Sequence, residues 1–268
     1  MSQRADFPIG VFDSGVGGLT VVRALMARLP RESIIYFGDT ARVPYGIKSV
    51  ETIAHFSTQI TQFLLEKRVK LLIVACNTMA AVASQTITDL SPVPVLDVIE
   101  AGARNAVAQT RNRRVGVIGT LTTINSGAYD RAIHQLDADI IIRSQACPLF
   151  VPLVEEGWLD HAVTRMTAVE YLMPLLAEGI DTLVLGCTHY PLLRPLLQDV
   201  VGRHVTLVDS ADNIALAAAG LLEQMSLGNT GGAAPTLQCY VTDVPQRFQQ
   251  VGGRFLGRPL ENVQVVKW

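Results

Sequence analysis

Short aliphatic runs closed by glycine, aspartate or cysteine alternate along this chain with longer stretches in which apolar residues recur at helical spacing. The first run is IGVFD from Ile9, followed by the glycine-rich turn SGVGG and a predicted helix from Leu19 to Leu29 that Pro30 closes. Next come IIYFGD (Ile34 to Asp39), a polar loop TARVPYG (Thr40 to Gly46) and a predicted helix from about Ser49 to Lys67. A third unit runs through LLIVAC into another helix. A fourth strand over Val93 to Ile99 leads to a helix over Ala101 to Thr110. Runs without polar alternation suit strands buried on both faces, and strand–helix alternation predicts a parallel sheet.

The pattern then restarts. RVGVIGT from Arg114 echoes IGVFDS and is followed by a predicted helix around Ile124 to Leu136 and a strand at Ile140 to Ile142. FVPLVEEG and a helix over Ala162 to Ala177 deliver a second aliphatic run, TLVLGC. The echoes at Gly10 and Gly116 are separated by nearly the same interval as Cys76 and Cys187, so the chain reads as two related α/β halves. VTLVD (Val205 to Asp209), a helix to about Met225, the loop SLGNTGGAAP, TLQCYVTD, a short helix and NVQVVKW complete it. These last elements are expected to return to the first core. The fold class is therefore α/β: two pseudo-symmetric parallel-sheet domains with helices on both faces. The expected domains are 1–97 plus 209–268, and 98–208.

Two cysteines share one context, and this is the sharpest chemical signal in the chain. LLIVACNTMA and TLVLGCTHYP each end an apolar strand at a thiol, Cys76 or Cys187, followed by small polar residues suited to a helix start. Ligands gather at the carboxyl ends of parallel strands, and free N–H groups there favour a thiolate or a carboxylate. Taken singly, each cysteine would read as packed core, and Cys147 and Cys239, which lack the flanking pattern, are read that way. Asp13 and Ser14 are either turn and cap residues or a site edge. The SGVGG glycines lack the G-x-G-x-x-G spacing and no G-K-[ST] follows, which argues against nucleotide binding. The Thr40–Gly46 loop is either a proline turn or a source of N–H donors for an anion. His189, two residues past Cys187, can hold a thiolate or shuttle a proton, while Glu155 and Glu156 by default form a solvated helix face.

Composition narrows the classes. The 268 residues carry a formal charge of -2, and no Lys/Arg cluster tracks phosphates, so nucleic acid is not an expected partner. No leader-like segment opens the chain and no run reaches membrane-span length, so the expectation is a cytoplasmic protein without membrane association. Four cysteines without C-x-x-C spacing read as free thiols, not disulfides or zinc ligands.

These motifs resemble those of the cofactor-independent glutamate racemases of the aspartate/glutamate racemase superfamily. DSGVGG (Asp13 to Gly18), GDTARVPYG (Asp39 to Gly46), ACNT (Ala75 to Thr78), FVPLVEEG (Phe150 to Gly157) and GCTHYPLL (Gly186 to Leu193) occur in order across most of the chain. The resemblance implies two facing α/β domains with the active site in the interdomain cleft, and an isomerase that interconverts L- and D-glutamate for peptidoglycan synthesis in cell-wall biogenesis, without metal or cofactor, usually as a homodimer. It implies Cys76 and Cys187 as the two acid/base groups, with Asp13, Glu155 and His189 assisting. It implies substrate contacts at Asp13, Ser14, Tyr45, Gly46, Asn77, Thr78, Thr188 and His189. In the family, the thiol matching Cys76 takes the proton from D-glutamate and the one matching Cys187 from L-glutamate.

The chemistry suits the residues. Racemisation needs two groups flanking one carbon, and free thiols titrate near enough to neutrality for one to be base while the other is acid. A pyridoxal phosphate enzyme would need a Schiff-base lysine, and Lys48, Lys67, Lys70 and Lys267 all lie outside the cysteine motifs. A cysteine hydrolase or disulfide oxidoreductase leaves the duplicated motif unexplained, and a non-catalytic binding protein leaves both thiols without a use. Aspartate and hydantoin racemases are nearer rivals; the PYG loop and the histidine after GCT favour glutamate.

Overall fold

A computed structural model describes residues 5–268. The first half runs β1 (Ile9–Asp13), α1 (Leu19–Arg28), β2 (Ile34–Gly38), α2 (Val50–Glu66), β3 (Leu71–Val74), α3 (Asn77–Leu90), β4 (Val95–Asp97) and α4 (Val98–Gln109). The second runs β5 (Arg114–Gly119), α5 (Leu121–Asn125), α6 (Ala128–Leu136), β6 (Ile141–Ala146), α7 (Phe150–Glu155), α8 (Ala162–Ala177), β7 (Thr182–Gly186), α9 (Arg194–Val201) and β8 (Thr206–Val208). The chain ends through α10 (Ala211–Gln224), β9 (Leu237–Val241), α11 (Pro245–Leu256) and β10 (Val263–Val265).

Two parallel sheets result. The first has the order β10-β9-β2-β1-β3-β4 and the second β6-β5-β7-β8. The run β2-β1-β3-β4 matches β6-β5-β7-β8 strand for strand, so the repeat in sequence is a repeat in topology. The last strands return to the first sheet, where β9 pairs with β2 and β10 with β9. Trp268 secures that edge, its ring 5.6 Å from Phe37 and 6.2 Å from Phe63.

Strand order also locates the chemistry. In each sheet the chain first steps one way from its opening strand, then crosses back to the other side. The loops after β1 and β3 therefore diverge and leave a crevice, as do those after β5 and β7. Asp13 ends β1 and Cys76 follows β3; Thr120 follows β5 and Cys187 follows β7. β1, β2, β3 and β7 are buried along their whole length, which is why their sequences are continuously apolar.

Local chemistry shifts several boundaries. The strand expected over Val93 to Ile99 is confined to Val95–Asp97, because the Asp97 carboxylate accepts from the N–H groups of Ile99 (2.9 Å) and Glu100 (3.0 Å) and starts α4 at Val98. The single helix expected over Ile124 to Leu136 is two helices, broken at Gly127, whose φ of 64° is left-handed. The strand expected at Ile140 to Ile142 extends to Ala146, and the Thr40–Gly46 loop holds two 3-10 turns, Thr40–Arg42 and Tyr45–Ile47.

Candidate active site

A cavity of about 420 Å³ lies between the two sheets at the carboxyl ends of their central strands. From the first half it receives Ser14, Tyr45, Gly46, Cys76, Asn77 and Thr78; from the second, Glu155, Cys187, Thr188 and His189. Among the catalytic and substrate-contact residues that the resemblance implies, Asp13 alone does not line it. Asp13 is fully buried behind the β1 turn, where one carboxylate oxygen accepts from the Gly15 N–H at 3.2 Å. Its other oxygen, Oδ1, has no hydrogen-bond partner among the described residues.

The two thiols are set differently. Cys76 is the N-cap residue of α3, with Sγ 3.6 Å from Ser14 Oγ. Burial pushes its thiol up to about 12, and the Asp13 charge adds to this; N–H groups of Met79 and Ser14 only partly offset them. Cys76 is therefore a thiol at neutral pH, an acid and not yet a base. Cys187 Sγ lies 3.9 Å from Nδ1 of His189, whose Nε2 is 3.0 Å from Glu155 Oε1. Burial by itself would lower His189, but the bonds and charges from Cys187 and Glu155 outweigh it and raise the imidazole to about 10. The same His189 bond lowers Glu155 against its burial. A carboxylate–imidazolium pair thus stands behind Cys187. The imidazole is held on its other side by Phe255 of α11, ring centres 5.1 Å apart.

Cys187 is not followed directly by an α-helix, as the echo with Cys76 suggested. Thr188 and His189 occupy a turn into a 3-10 segment, Tyr190–Leu193, and α9 begins only at Arg194. The Tyr45 hydroxyl does not face a ligand as its only partner, since it donates to the Asp39 carboxylate.

Several contributors were not singled out from sequence. Thr120 lines the cavity and caps α5, its hydroxyl accepting from the Thr123 N–H at 3.2 Å. It also lies 3.0 Å from Thr78 Oγ1, joining the two walls. A signal existed: RVGVIGT aligned on IGVFDS places Thr120 opposite Ser14. Val43 and Pro44 of GDTARVPYG and Val151 and Pro152 of FVPLVEEG supply apolar lining, as does Leu121, which no quoted motif contains. Among the described residues, no group of three or more His, Cys, Asp or Glu could hold a metal ion.

Two half-related sheets, each delivering one thiol to a shared cavity, define a two-domain α/β protein with a cleft between its halves. The model of the family Asp/Glu/Hydantoin racemase matches residues 19–218. A glutamate racemase of Syntrophus aciditrophicus is 69% identical over 260 residues, covering 97% of this chain and 96% of the relative. One from Neisseria meningitidis serogroup A is 60% identical over the same shares. The crystal structure of glutamate racemase from Francisella tularensis, in complex with D-glutamate, superposes with a TM-score of 0.93 at 41% identity over 98% of both chains. The chain belongs to the Asp/Glu/Hydantoin racemase family and, within it, to the glutamate racemases, which makes it an isomerase.

Proposed function

We propose that this chain interconverts L- and D-glutamate by passing the α-proton between Cys76 and Cys187. The observation that carries this reading is a cavity lined by a thiol from each half, Cys76 beside Ser14 and Cys187 backed by His189 and Glu155. With L-glutamate bound, Cys187 Sγ, supported by His189 and Glu155, removes the α-proton. Cys76 Sγ, kept protonated by burial and by Asp13, delivers its own proton to the opposite face. The product is D-glutamate, and the enzyme is left with the thiols exchanged in role; D-glutamate runs the same steps backward.

The negative charge that develops on the α-carboxylate as the proton leaves is met by donors of Asn77, Thr78 and Thr188. Held in a closed cleft, such donors act most strongly where charge appears in the transition state. The Tyr45–Gly46 turn and Ser14 take the far carboxylate. Gly46 approaches Thr120 so closely that a Cβ there would lie 2.7 Å from the Thr120 Cβ, so this turn packs against the other half of the chain. The chemistry needs no metal or organic cofactor.

The chain crosses between sheets after β4 and after β8, which supports a first unit ending at 97 and resuming at 209, with 98–208 between. Activity of this kind supplies D-glutamate for peptidoglycan. A cytoplasmic homodimer fits that role, and among the described residues no helix is long and apolar enough to cross a membrane.

Circular dichroism of L-glutamate and L-aspartate solutions with dialysed protein tests substrate choice. Glutamate loses its signal to zero, while aspartate, one methylene shorter, cannot reach both anion sites and turns over far more slowly. Equal specificity constants for the two would overturn the glutamate assignment.

A further inference from the structure

Tyr129 lies outside every motif discussed above, yet it touches both walls of the cleft. It stands near the start of α6, which begins at Ala128 just after the left-handed Gly127, and is 2% exposed. Its hydroxyl donates to Asn77 Oδ1 at 2.7 Å, reaching from the second half to the residue after Cys76. Its ring covers Gly186, the residue before Cys187: a Cβ there would fall 3.0 Å from Tyr129 Cε2. A Cβ at Gly102 of α4 would fall 3.1 Å from the hydroxyl, and Ser210 Oγ, just ahead of α10, is 3.5 Å away. One side chain therefore meets both thiol-bearing segments and both segments by which the chain crosses between the sheets.

The Asn77 bond has a direction that matters. An amide has an acceptor end and a donor end, and only the donor end can meet a carboxylate. With Oδ1 taken by Tyr129, the Nδ2 end makes no hydrogen bond to the described residues, and Asn77 lines the cavity. The reversed amide would present Oδ1 to an anion. It would also leave the phenolic proton only Ser210 Oγ, at the 3.5 Å limit of a hydrogen bond.

We propose that Tyr129 is a positioning residue for racemisation: by donating to Asn77 Oδ1 it holds the Asn77 amide with its N–H groups turned to the substrate carboxylate. This rests on the reading of Asn77 as a substrate contact. Tyr129 touches no reacting atom and acts through Asn77.

The test is a double-mutant cycle on the purified full chain, with kcat and KM measured from L- and D-glutamate for wild type, Tyr129→Phe, Asn77→Ala and the double variant. Phenylalanine keeps the ring over Gly186 and removes only the donor. Tyr129→Phe should lower kcat/KM about 10–100-fold, the range for losing a hydrogen bond to a charged group, mostly in kcat. In the Asn77→Ala background the same change should cost less than about twofold, because there is no amide left to hold. Multiplying losses, or wild-type kinetics in Tyr129→Phe, would overturn the proposal. Asn77→Asp tests the orientation without touching Tyr129: it turns an acceptor to the carboxylate, so it should fall below Asn77→Ala, and an activity above Asn77→Ala would refute the donor assignment. Wild-type activity in Asn77→Ala would instead show that the underlying reading of Asn77 fails. Thermal unfolding of each variant separates these outcomes from loss of fold.

Discussion

Cys76→Ser and Cys187→Ser are each expected to abolish measurable racemisation while leaving the fold intact. On the proposed two-thiol route, every turnover in either direction needs one thiol to accept the α-proton and the other to give one up. An alcohol is far too weak an acid to supply the base near neutral pH, and it donates less readily at the opposite face. Removing one positioned acid or base costs roughly 10²–10⁴-fold, and here the missing group is required on every passage. Enantiomers have equal free energy, so L-to-D and D-to-L specificity constants must fall together whichever cysteine is replaced. The unfolding temperature should move little, because serine nearly matches cysteine in shape and both positions border a cavity. Cys239→Ser provides the contrast: that thiol is buried in β9, outside the cleft, and its replacement should cost stability with little loss of activity. Racemisation at more than a few per cent of wild type in either cleft variant would contradict the account.

Gly17→Ala is expected to cost nearly as much, although no Gly17 atom takes part in the chemistry. A Cβ at this position would collide with the Thr188 hydroxyl and with the His189 ring, 2.6 Å from Nδ1 and 2.7 Å from Cε1. The turn after β1 lies directly against the segment that follows Cys187. Thr20 marks the same approach, its hydroxyl 3.0 Å from the Gly17 carbonyl and 3.4 Å from that of Thr188. The added methyl must push His189 away from Cys187 or prise the two halves apart. A displacement of about 1 Å in such a group costs on the order of 10²-fold in rate. Overpacking adds about 1–3 kcal/mol of instability. Gly220→Ala is the control: it lies in α10 with nothing within 4 Å of its Cβ, and alanine there should gain about 0.5–1 kcal/mol from helix propensity. Gly17→Ala with wild-type kcat/KM would show that this approach does not constrain the site.

That glycine explains what the sequence leaves ambiguous. SGVGG resembles a phosphate loop only loosely, and nothing local says why three glycines stand there. For Gly17 the answer is tertiary, because its Cβ would meet the other half of the chain; the Gly18 Cβ would lie 2.7 Å from the Asp13 Cβ within the same turn. The two thiols were legible because a buried parallel strand leaves a strong aliphatic signature, and each ends in the same residue. The domain repeat was legible for the same reason. Glu155 has no such signature: the residues alone read as a solvated helix face, the family resemblance alone implied a role, and the 3.0 Å contact with His189 is the physical link. Thr120 could have been found from the echo of Ser14. Tyr129 could not, because its value lies in contacts with Asn77 and Gly186 brought together by the packing of the two halves. Asp13 shows the opposite limit: its motif marks it, yet it acts on Cys76 from beneath the cavity surface.

The central claim is that two thiols on opposite walls, and not one swinging base, move the α-proton. It is tested most directly by running the reaction in deuterated water and locating the first label. The thiol that donates has exchanged with solvent, so it places deuterium in the product. The thiolate that accepted the substrate hydrogen tends to return that same hydrogen to the face it came from. Early deuterium should therefore appear almost wholly in the product enantiomer, whether the reaction starts from L- or from D-glutamate. Deuterium appearing in recovered substrate as fast as in product would mean that one exchanged group serves both faces, and would contradict the account.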